Sequence, residues 1–354
     1  MNLRIDRDLW QYLAETEKTV VMYGMGNGAD KILRVCEKKG IAVSDFFASD
    51  GFVRGHAFHG KTVLSYSDVK AKYGAENIIV LLSFASSLPD VIENIERSAS
   101  ECELYAPDVP VFGDNLFDMD FYLANREKMD EVYSILADDE SRFIFERVTE
   151  YKLTGRIPPL MEAVSGKDEV YRGLIGAQKV RCAADLGAYN GDTVRELAEY
   201  APSLEKVYAF EPDRRNYKKL SLYAESEKRF CVDALNYAAW CEDTVLEFDA
   251  GGNRNSNISS TGKVVQVSAR KLDGAIAESV DYIKYDVEGS EREAILGSVA
   301  TIRKYSPTLL VSVDHRSEDI FLLPLLIKKL APDYRLYLRR YRYLPAWDLN
   351  LICV

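Results

Sequence analysis

Apolar and polar positions alternate along the chain in a pattern that predicts two α/β units. Four apolar runs in the first third have the length of buried strands: 19–23, 43–48, 77–84 and 102–105. After the first of them, Ile32, Val35 and Cys36 recur at the spacing of an inward-facing helix side, and Gly40 marks the helix end. Strands that alternate with helices favour a parallel sheet with right-handed crossovers.

The segment 114–164 shows helical spacing and no strand-like run. Four of its apolar positions are predicted to share one helical stripe: Tyr122, Met129, Val132 and Leu136. We expect Pro158 and Pro159 to break this series, because proline cannot continue a helix. The segment is therefore predicted to be a helical connector.

A second α/β unit is predicted from residue 166 to the end. Its strand-like runs are 182–184, 207–210, 229–235, 282–285 and 308–313. Runs 244–249 and 263–268 alternate like a hairpin around the loop 251–262. The last two runs, 335–341 and 347–354, have a short link and must be antiparallel. A parallel sheet that ends in such a hairpin is typical of a class I methyltransferase fold rather than of a dehydrogenase.

The predicted fold class is therefore α/β with two Rossmann-like sheets. We expect a smaller Rossmann-like domain over residues 1–113, a helical connector over 114–165, and a class I methyltransferase sheet ending in an antiparallel hairpin over 166–354.

Composition narrows the classes of partner. The chain has 354 residues, 47% of them hydrophobic and 29% charged, which suits a soluble globular protein. A net charge of −11 argues against nucleic acid as a partner, because phosphate contacts need a basic face. The apolar runs are shorter than the roughly 20 residues of a membrane helix. Six scattered cysteines and a charged N-terminus favour a cytoplasmic location.

The turn after Asp185 is the main candidate for a ligand site. Gly187 and Gly191 let the backbone approach a ligand closely. Glu211 ends the following strand, where a carboxylate can accept two hydrogen bonds from a ribose diol. The turn lacks a GxGxxG triplet, which favours a nucleoside without phosphates, such as S-adenosylmethionine.

Four segments carry a family resemblance: 185–193, 207–212, 272–273 and 283–291. Their sequences, DLGAYNGDT, VYAFEP, LD and IKYDVEGSE, resemble the ordered motifs of the FkbM family of S-adenosylmethionine-dependent methyltransferases. The resemblance runs from about residue 169 to the C-terminus. It implies methylation of hydroxyls on sugars, glycans or natural-product-like acceptors.

The resemblance also implies which residues hold the cofactor. It places Asp185, Gly187, Gly191 and Glu211 around S-adenosylmethionine and Asn236 near the adenine. The full set of candidate cofactor-binding residues is Asp185, Gly187, Tyr189, Gly191, Asp192, Thr193, Glu211, Pro212 and Asn236.

The candidate catalytic residues follow the fourth and fifth strands of this unit. Methyl transfer depends on in-line positioning, and a hydroxyl acceptor must also lose its proton. His315 is the best placed imidazole for that role and Asp286 is the carboxylate alternative. Together with Glu288 they could hold a divalent ion, although no spacing requires a metal. There is no Asn/Asp-Pro-Pro-aromatic sequence, which weighs against methylation of a base nitrogen.

The first unit offers a second candidate site. Residues 24–29 fit the GxGxxA variant of the dinucleotide fingerprint, so that Gly24, Gly26 and Asn27 could cradle a phosphate and Asp50 could hold a ribose. The open alternative is that this unit is a structural scaffold, which keeps the glycine turn but binds no nucleotide. If this unit binds a nucleotide, we expect it to recognise a nucleotide-activated acceptor.

Two other functions compete with methyl transfer. One is a non-catalytic sensor of sugar nucleotides with a degenerate second unit. The other is a nicotinamide-dependent dehydrogenase or epimerase, for which Tyr66 and Lys70 have the required spacing. That pair comes too soon after the Gly24 turn, which makes this function the weaker one.

Overall fold

Two mainly parallel sheets organise the chain, as the sequence predicts. The computed structural model describes residues 1, 3–53, 55–249 and 264–354. The strands of the N-terminal unit are β1 Thr19–Tyr23, β2 Val43–Ala48, β3 Ala57–Phe58, β4 Lys61–Thr62, β5 Leu64–Ser65, β6 Ile78–Leu82 and β7 Glu103–Tyr105. Five of them form a parallel sheet in the order β5-β2-β1-β6-β7. Strands β3 and β4 form a separate antiparallel pair. The helices of this unit are α1 Leu9–Glu15, α2 Asn27–Lys38, α3 Tyr66–Tyr73 and α4 Pro89–Glu101.

Helix α2 packs on this sheet through Ala29, Ile32 and Cys36, which are buried. Val35, predicted to face inward with them, is only partly buried. Val35 still packs against the same core, while the other side of α2 contacts the chain after β7, where Nζ of Lys31 donates to the carbonyls of Pro110 and Val111. Helix α2 therefore lies between the N-terminal sheet and the rest of the molecule.

Four helices connect the two sheets, which confirms the predicted helical character of this segment. They are α5 Met119–Ala124, α6 Arg126–Ile135, α7 Asp139–Thr154 and α8 Ile157–Glu162. The predicted break lies between Thr154 and Ile157, and Pro158 and Pro159 lie just after it, in the first turn of α8. In that turn a missing backbone N–H costs nothing, since no residue of the helix would accept its hydrogen bond.

The C-terminal sheet has seven strands in the order β10-β9-β8-β14-β15-β17-β16. The first five are parallel, and β17 pairs antiparallel with both β15 and β16. The predicted terminal hairpin is thus confirmed. The strands are β8 Cys182–Leu186, β9 Lys206–Phe210, β10 Cys231–Leu235, β14 Tyr282–Tyr285, β15 Thr308–Ser312, β16 Leu336–Arg340 and β17 Leu349–Cys353.

A small sheet and six α-helices complete the described part of this unit. The strands β11 Ala238–Ala239, β12 Thr244–Asp249 and β13 Val264–Arg270 form a sheet in the order β11-β13-β12. The predicted pairing of the last two is confirmed as antiparallel, while the loop 251–262 lies outside the described residues. The helices are α9 Asp192–Tyr200, α10 Arg214–Ser226, α11 Leu272–Ala275, α12 Glu291–Leu296, α13 Val299–Tyr305 and α14 Asp319–Leu330.

One apolar core runs through both units and the connector. It includes Phe47 of the first sheet, Phe145 of α7 and Phe210 of the second sheet. The backbone also joins the units, because Ser86 pairs with Leu344 in an isolated antiparallel bridge. The two sheets are therefore held in a fixed relation, and a space between them can serve as one site.

None of the helices in the described part of the chain has the length and apolar character needed to cross a bilayer.

Replacing Asp138 with asparagine is expected to reduce stability by about 1–3 kcal/mol, because Asp138 is the nearest ion-pair partner of the buried Arg339. The Oδ2 atom of Asp138 lies 2.6 Å from Nη2 of Arg339, which joins α7 to the terminal hairpin. Despite the opposing effect of burial, the hydrogen bonds from Arg339 and Ser141 lower the pKa of Asp138 to about 2.

A pKa lowered on folding means stability that is present above the unfolded pKa and lost as the pH falls toward the folded one. Urea unfolding of the wild type and the variant between about pH 5 and about pH 2 measures this loss. The wild type should lose its advantage over the variant across that range. An advantage independent of pH would contradict the ion-pair explanation.

Candidate active site

A cavity of about 1980 Å³ lies between the two units. Its floor is the carboxyl edge of the C-terminal sheet, where parallel α/β folds place their ligands. Its opposite wall is α2 together with the chain segment 109–116. The predicted site residues on its lining are Gly187, Tyr189, Asp192, Thr193, Glu211, Pro212, Asn236, Asp286 and Glu288. The remaining predicted residues of this unit, Asp185, Gly191 and His315, are not on the lining.

The turn after β8 is packed tightly against the strand beside it. A Cβ atom on Gly187 would lie 1.9 Å from the carbonyl oxygen of Asp286, and its φ is +98°. The backbone amides of Gly187 and Ala188 both donate to the carbonyl of Phe210. Glycine is therefore required here for the contact between strands, as well as for access to the cavity.

Replacing Gly187 with alanine is expected to destabilise the fold by at least about 3 kcal/mol, because both the clash and the positive φ oppose a side chain. Thermal unfolding measures the effect. The matched control is Gly173→Ala, since Gly173 has no atom within 4 Å of an added Cβ and no positive φ. Equal melting temperatures for the two variants would contradict the close packing.

Asp185 lies beneath the cavity floor. Its side chain accepts a hydrogen bond from the hydroxyl of Thr193 and lies 3.5 Å from Nζ of Lys284. Burial raises the pKa of Asp185, although Lys284 opposes the shift. The residue thus orients Thr193, which lines the cavity, instead of facing the cavity itself.

Glu211 is 6% exposed and lies on the cavity lining. Its Oε1 accepts the backbone N–H of Asp213 at 2.8 Å. Burial raises the pKa of Glu211 to about 7. The amide of Asn236 donates to the carbonyls of Glu211 and Pro212, so Asn236 ties together the ends of β9 and β10. A buried carboxylate at this edge suits a ligand that donates hydrogen bonds.

Asp286, Glu288 and His315 are brought together as predicted. The Nε2 atom of His315 lies 3.5 Å from Oδ1 of Asp286 and 3.7 Å from Oε2 of Glu288. Its Nδ1 atom lies 2.9 Å from Oε1 of Glu291. Burial alone lowers the pKa of His315, but Glu291 and the neighbouring acids raise it well above its usual range. The acids around His315 thus favour its imidazolium form, which suits charge stabilisation better than proton abstraction.

Asp286 is the carboxylate of this group. Burial tends to raise its pKa, but Lys284 and His315 outweigh burial and lower the pKa of Asp286. Nζ of Lys284 lies 3.0 Å from Oδ2 of Asp286. Asp286 is thus ionised and can accept a proton or a hydrogen bond on the cavity side.

A divalent ion could be held at the same place by Asp286, Glu291 and His315. Their ligand atoms lie within 4.8 Å of one another. The three metal ligands considered from the sequence included Glu288, whereas the structure has Glu291 in that place. Glu291 also accepts the backbone N–H of Val287 at 2.9 Å, so it fixes the loop before α12.

Sequence reasoning missed three residues at this site: Lys284, Glu291 and Lys31. Lys284 and Glu291 belong to the 283–291 motif, and their charged side chains beside a buried strand were the available signal. Lys31 comes from the other unit, where it lines the cavity. Its place at the site depends on how the two units pack together, which the sequence alone does not show.

The glycine turn of the N-terminal unit lies elsewhere. Gly24, Gly26, Asn27 and Asp50 do not line the cavity. A Cβ on Gly24 would lie 2.7 Å from both the Phe84 ring and Oγ of Ser83. Asp50 accepts hydrogen bonds from the backbone and the hydroxyl of Ser67. The Gly24 turn thus packs against the residues that follow β6, and Asp50 is bonded to α3.

The pair Tyr66 and Lys70, which the dehydrogenase hypothesis needs, contacts Glu101 of α4. The hydroxyl of Tyr66 lies 3.3 Å from Oε2 of Glu101, and Nζ of Lys70 lies 2.6 Å from the same atom. Both side chains are thus engaged with α4, and neither lines the cavity.

One solved structure with a similar fold covers nearly the whole chain. A solved methyltransferase FkbM from Methylobacillus flagellatus KT matches with 20% identity and a TM-score of 0.73, covering 98% of this chain and 92% of that one. Fibrillarin from Aeropyrum pernix, solved with natively bound S-adenosyl-L-methionine, matches with 14% identity, 49% and 66% coverage and a TM-score of 0.32. An rRNA methylase from Streptococcus thermophilus matches with 13% identity, 50% and 89% coverage and a TM-score of 0.32.

No curated protein matches the chain by sequence. The family model described as the methyltransferase FkbM domain matches residues 185–345, which include the Gly187 turn, Glu211 and the Asp286–His315 group. Residues 185–345 thus match the FkbM methyltransferase domain, and the chain has a fold similar to that of a solved methyltransferase FkbM.

Proposed function

We propose that the chain transfers a methyl group from S-adenosylmethionine to a hydroxyl oxygen of a sugar, glycan or natural-product-like acceptor. The observation that carries this proposal is that Glu211, Asp286 and Glu288 line one cavity at the carboxyl edge of the sheet. The proposal treats residues 1–113 as an acceptor-recognition domain, 114–165 as its connector and 166–354 as the methyltransferase domain.

The cofactor would be held by the residues that follow β8 and β9. Glu211 is the carboxylate for the ribose hydroxyls, and the Gly187 to Thr193 turn offers a closely approachable backbone. When bound, the cofactor supplies a methyl group on a positively charged sulfur. The buried acids at this edge suit that charge, since opposite charges attract more strongly where water is excluded.

The acceptor hydroxyl would be oriented by Asp286. Lys284 and His315 fix this carboxylate from two sides, so its free lone pairs have a defined direction. The hydroxyl proton would pass to a carboxylate oxygen of Asp286 while the hydroxyl oxygen takes the methyl group, whose bond to the cofactor sulfur breaks to leave a neutral thioether. The positive charges of Lys284 and His315 would keep the Asp286 carboxylate in place. Positioning of this kind supplies several kcal/mol toward the barrier.

Incubation with isotope-labelled S-adenosylmethionine and a panel of sugars, glycans and sugar nucleotides tests the reaction. We expect one acceptor to gain a labelled methyl group on oxygen, identified by mass spectrometry and NMR. Labelling on nitrogen or carbon would contradict the oxygen assignment. Failure of S-adenosylhomocysteine to bind in calorimetry would contradict the whole proposal.

A further inference from the structure

Helix α2 presents a basic stripe to the cavity. Lys31, Arg34, Val35 and Lys38 all line it, and their spacing places them on one helix face. This helix belongs to the N-terminal sheet, whereas the reactive acids belong to the C-terminal one. The chain has a net charge of −11, so a cluster of cations opposite the carboxyl edge of the C-terminal sheet suggests that this wall binds an anionic ligand.

The outer two cations of the stripe are free for a ligand. Among the described residues, Arg34 and Lys38 form no ion pair, and Arg34 donates only to the backbone carbonyl of Asp30. The adjacent Lys39 differs, since its Nζ lies 2.8 Å from Oδ2 of Asp118. Lys39 is thus used within the fold, while Arg34 and Lys38 are exposed to the cavity.

The inner cation lies beside the reaction site. Nζ of Lys31 donates to the carbonyls of Pro110 and Val111, and the next residue, Phe112, donates its N–H to the carbonyl of His315. Burial lowers the pKa of Lys31, and the nearby Glu288 opposes that shift. The stripe therefore runs outward from Glu288 and His315 along α2.

We propose that the acceptor carries a diphosphate, which Arg34 and Lys38 bind while its hydroxyl reaches Asp286 and Glu288. This inference rests on the proposed methyl transfer and adds the acceptor class to it. The basic stripe on α2, and not the glycine turn, is then the part of the N-terminal unit that recognises the acceptor.

The spacing supports a diphosphate over a single carboxylate. Arg34 and Lys38 are one helical turn apart, with about 5–6 Å between their Cβ atoms, so that two neighbouring phosphates can each meet a cation. Seven residues of helix separate Lys31 from Lys38 by about 10 Å. That distance accommodates roughly one sugar ring between the methylated hydroxyl and the diphosphate.

Calorimetric titration of inorganic pyrophosphate into the full chain saturated with S-adenosylhomocysteine tests this inference. We expect pyrophosphate to bind, and Arg34→Gln/Lys38→Gln to weaken it by about tenfold to a hundredfold, because charge-assisted hydrogen bonds are lost. The matched control is Arg97→Gln/Lys179→Gln, which removes two exposed cations that do not line the cavity. The control should bind pyrophosphate like the wild type.

Equal binding by the wild type and the α2 variant would overturn the inference, as would no binding of pyrophosphate at all. Loss in Arg214→Gln/Arg215→Gln with retention in the α2 variant would also overturn it, because those arginines line another wall. S-adenosylhomocysteine binding, measured in the same variants, separates this failure from failure of the proposed methyl transfer. Tighter binding of uridine diphosphate or of geranyl diphosphate than of pyrophosphate would support the inference and identify the nucleotide or lipid source.

Discussion

Replacing Glu211 with glutamine is expected to weaken S-adenosylhomocysteine binding by about tenfold to a hundredfold, because the buried carboxylate that we propose as the acceptor for the two ribose hydroxyls loses its charge. The side chain is 6% exposed, so water compensates little for the loss. Calorimetry measures the dissociation constants of both proteins.

The same experiment has a pH dependence with a definite sign. Burial raises the pKa of Glu211 to about 7, so the free protein carries a proton there in mildly acidic solution. Ribose hydroxyls donate to the ionised form, and affinity should therefore rise between about pH 6 and about pH 8 and level off above. Glu211→Gln should lack this rise.

The matched control for Glu211 is Glu225→Gln. Glu225 is an exposed residue of α10 and does not line the cavity. Its variant should keep both the affinity and the pH profile of the wild type. An unchanged dissociation constant in Glu211→Gln would remove Glu211 from the cofactor site.

Replacing Asp286 with asparagine is expected to lower the rate of methyl transfer by about 10²- to 10⁴-fold, the range found for loss of a positioned acid–base group. Asparagine keeps the shape but cannot take the hydroxyl proton, and it leaves His315 and Lys284 without this carboxylate. Cofactor affinity should change little, since Glu211 is untouched. Single-turnover kinetics with labelled cofactor measure the rate.

Glu293→Gln provides the control for Asp286. Glu293 lines the same cavity but is paired with Arg292 at 2.9 Å, and no role is assigned to it. Its rate should stay near that of the wild type. A normal rate in Asp286→Asn, with intact folding by circular dichroism, would show that proton removal takes place elsewhere.

Much of the fold was predictable because its signals are local. Short apolar runs set the strands, and the short link before β17 required an antiparallel pair. The helix break was predicted next to its true place, because a pair of prolines marks either the end of one helix or the first turn of the next.

The residues of the candidate site could be predicted where they lie at the ends of predicted strands. Glu211 and Asp286 end their strands, and strand ends of a parallel sheet share an edge. The contacts of Asp185 with Lys284 and of His315 with Glu291 could not be predicted, because these residues come together only after folding. That the basic stripe of α2 lines the cavity could not be predicted, because the spacing of its residues does not show which surface of the other unit the helix will face.

A crystal structure of the chain with S-adenosylhomocysteine tests the central claim most directly. The expected result is a nucleoside at the carboxyl edge of the C-terminal sheet, with both ribose hydroxyls within hydrogen-bond distance of Glu211 and the sulfur directed toward Asp286 and Glu288. A nucleoside bound at the Gly24 turn, or in the cavity but away from Glu211, would contradict it.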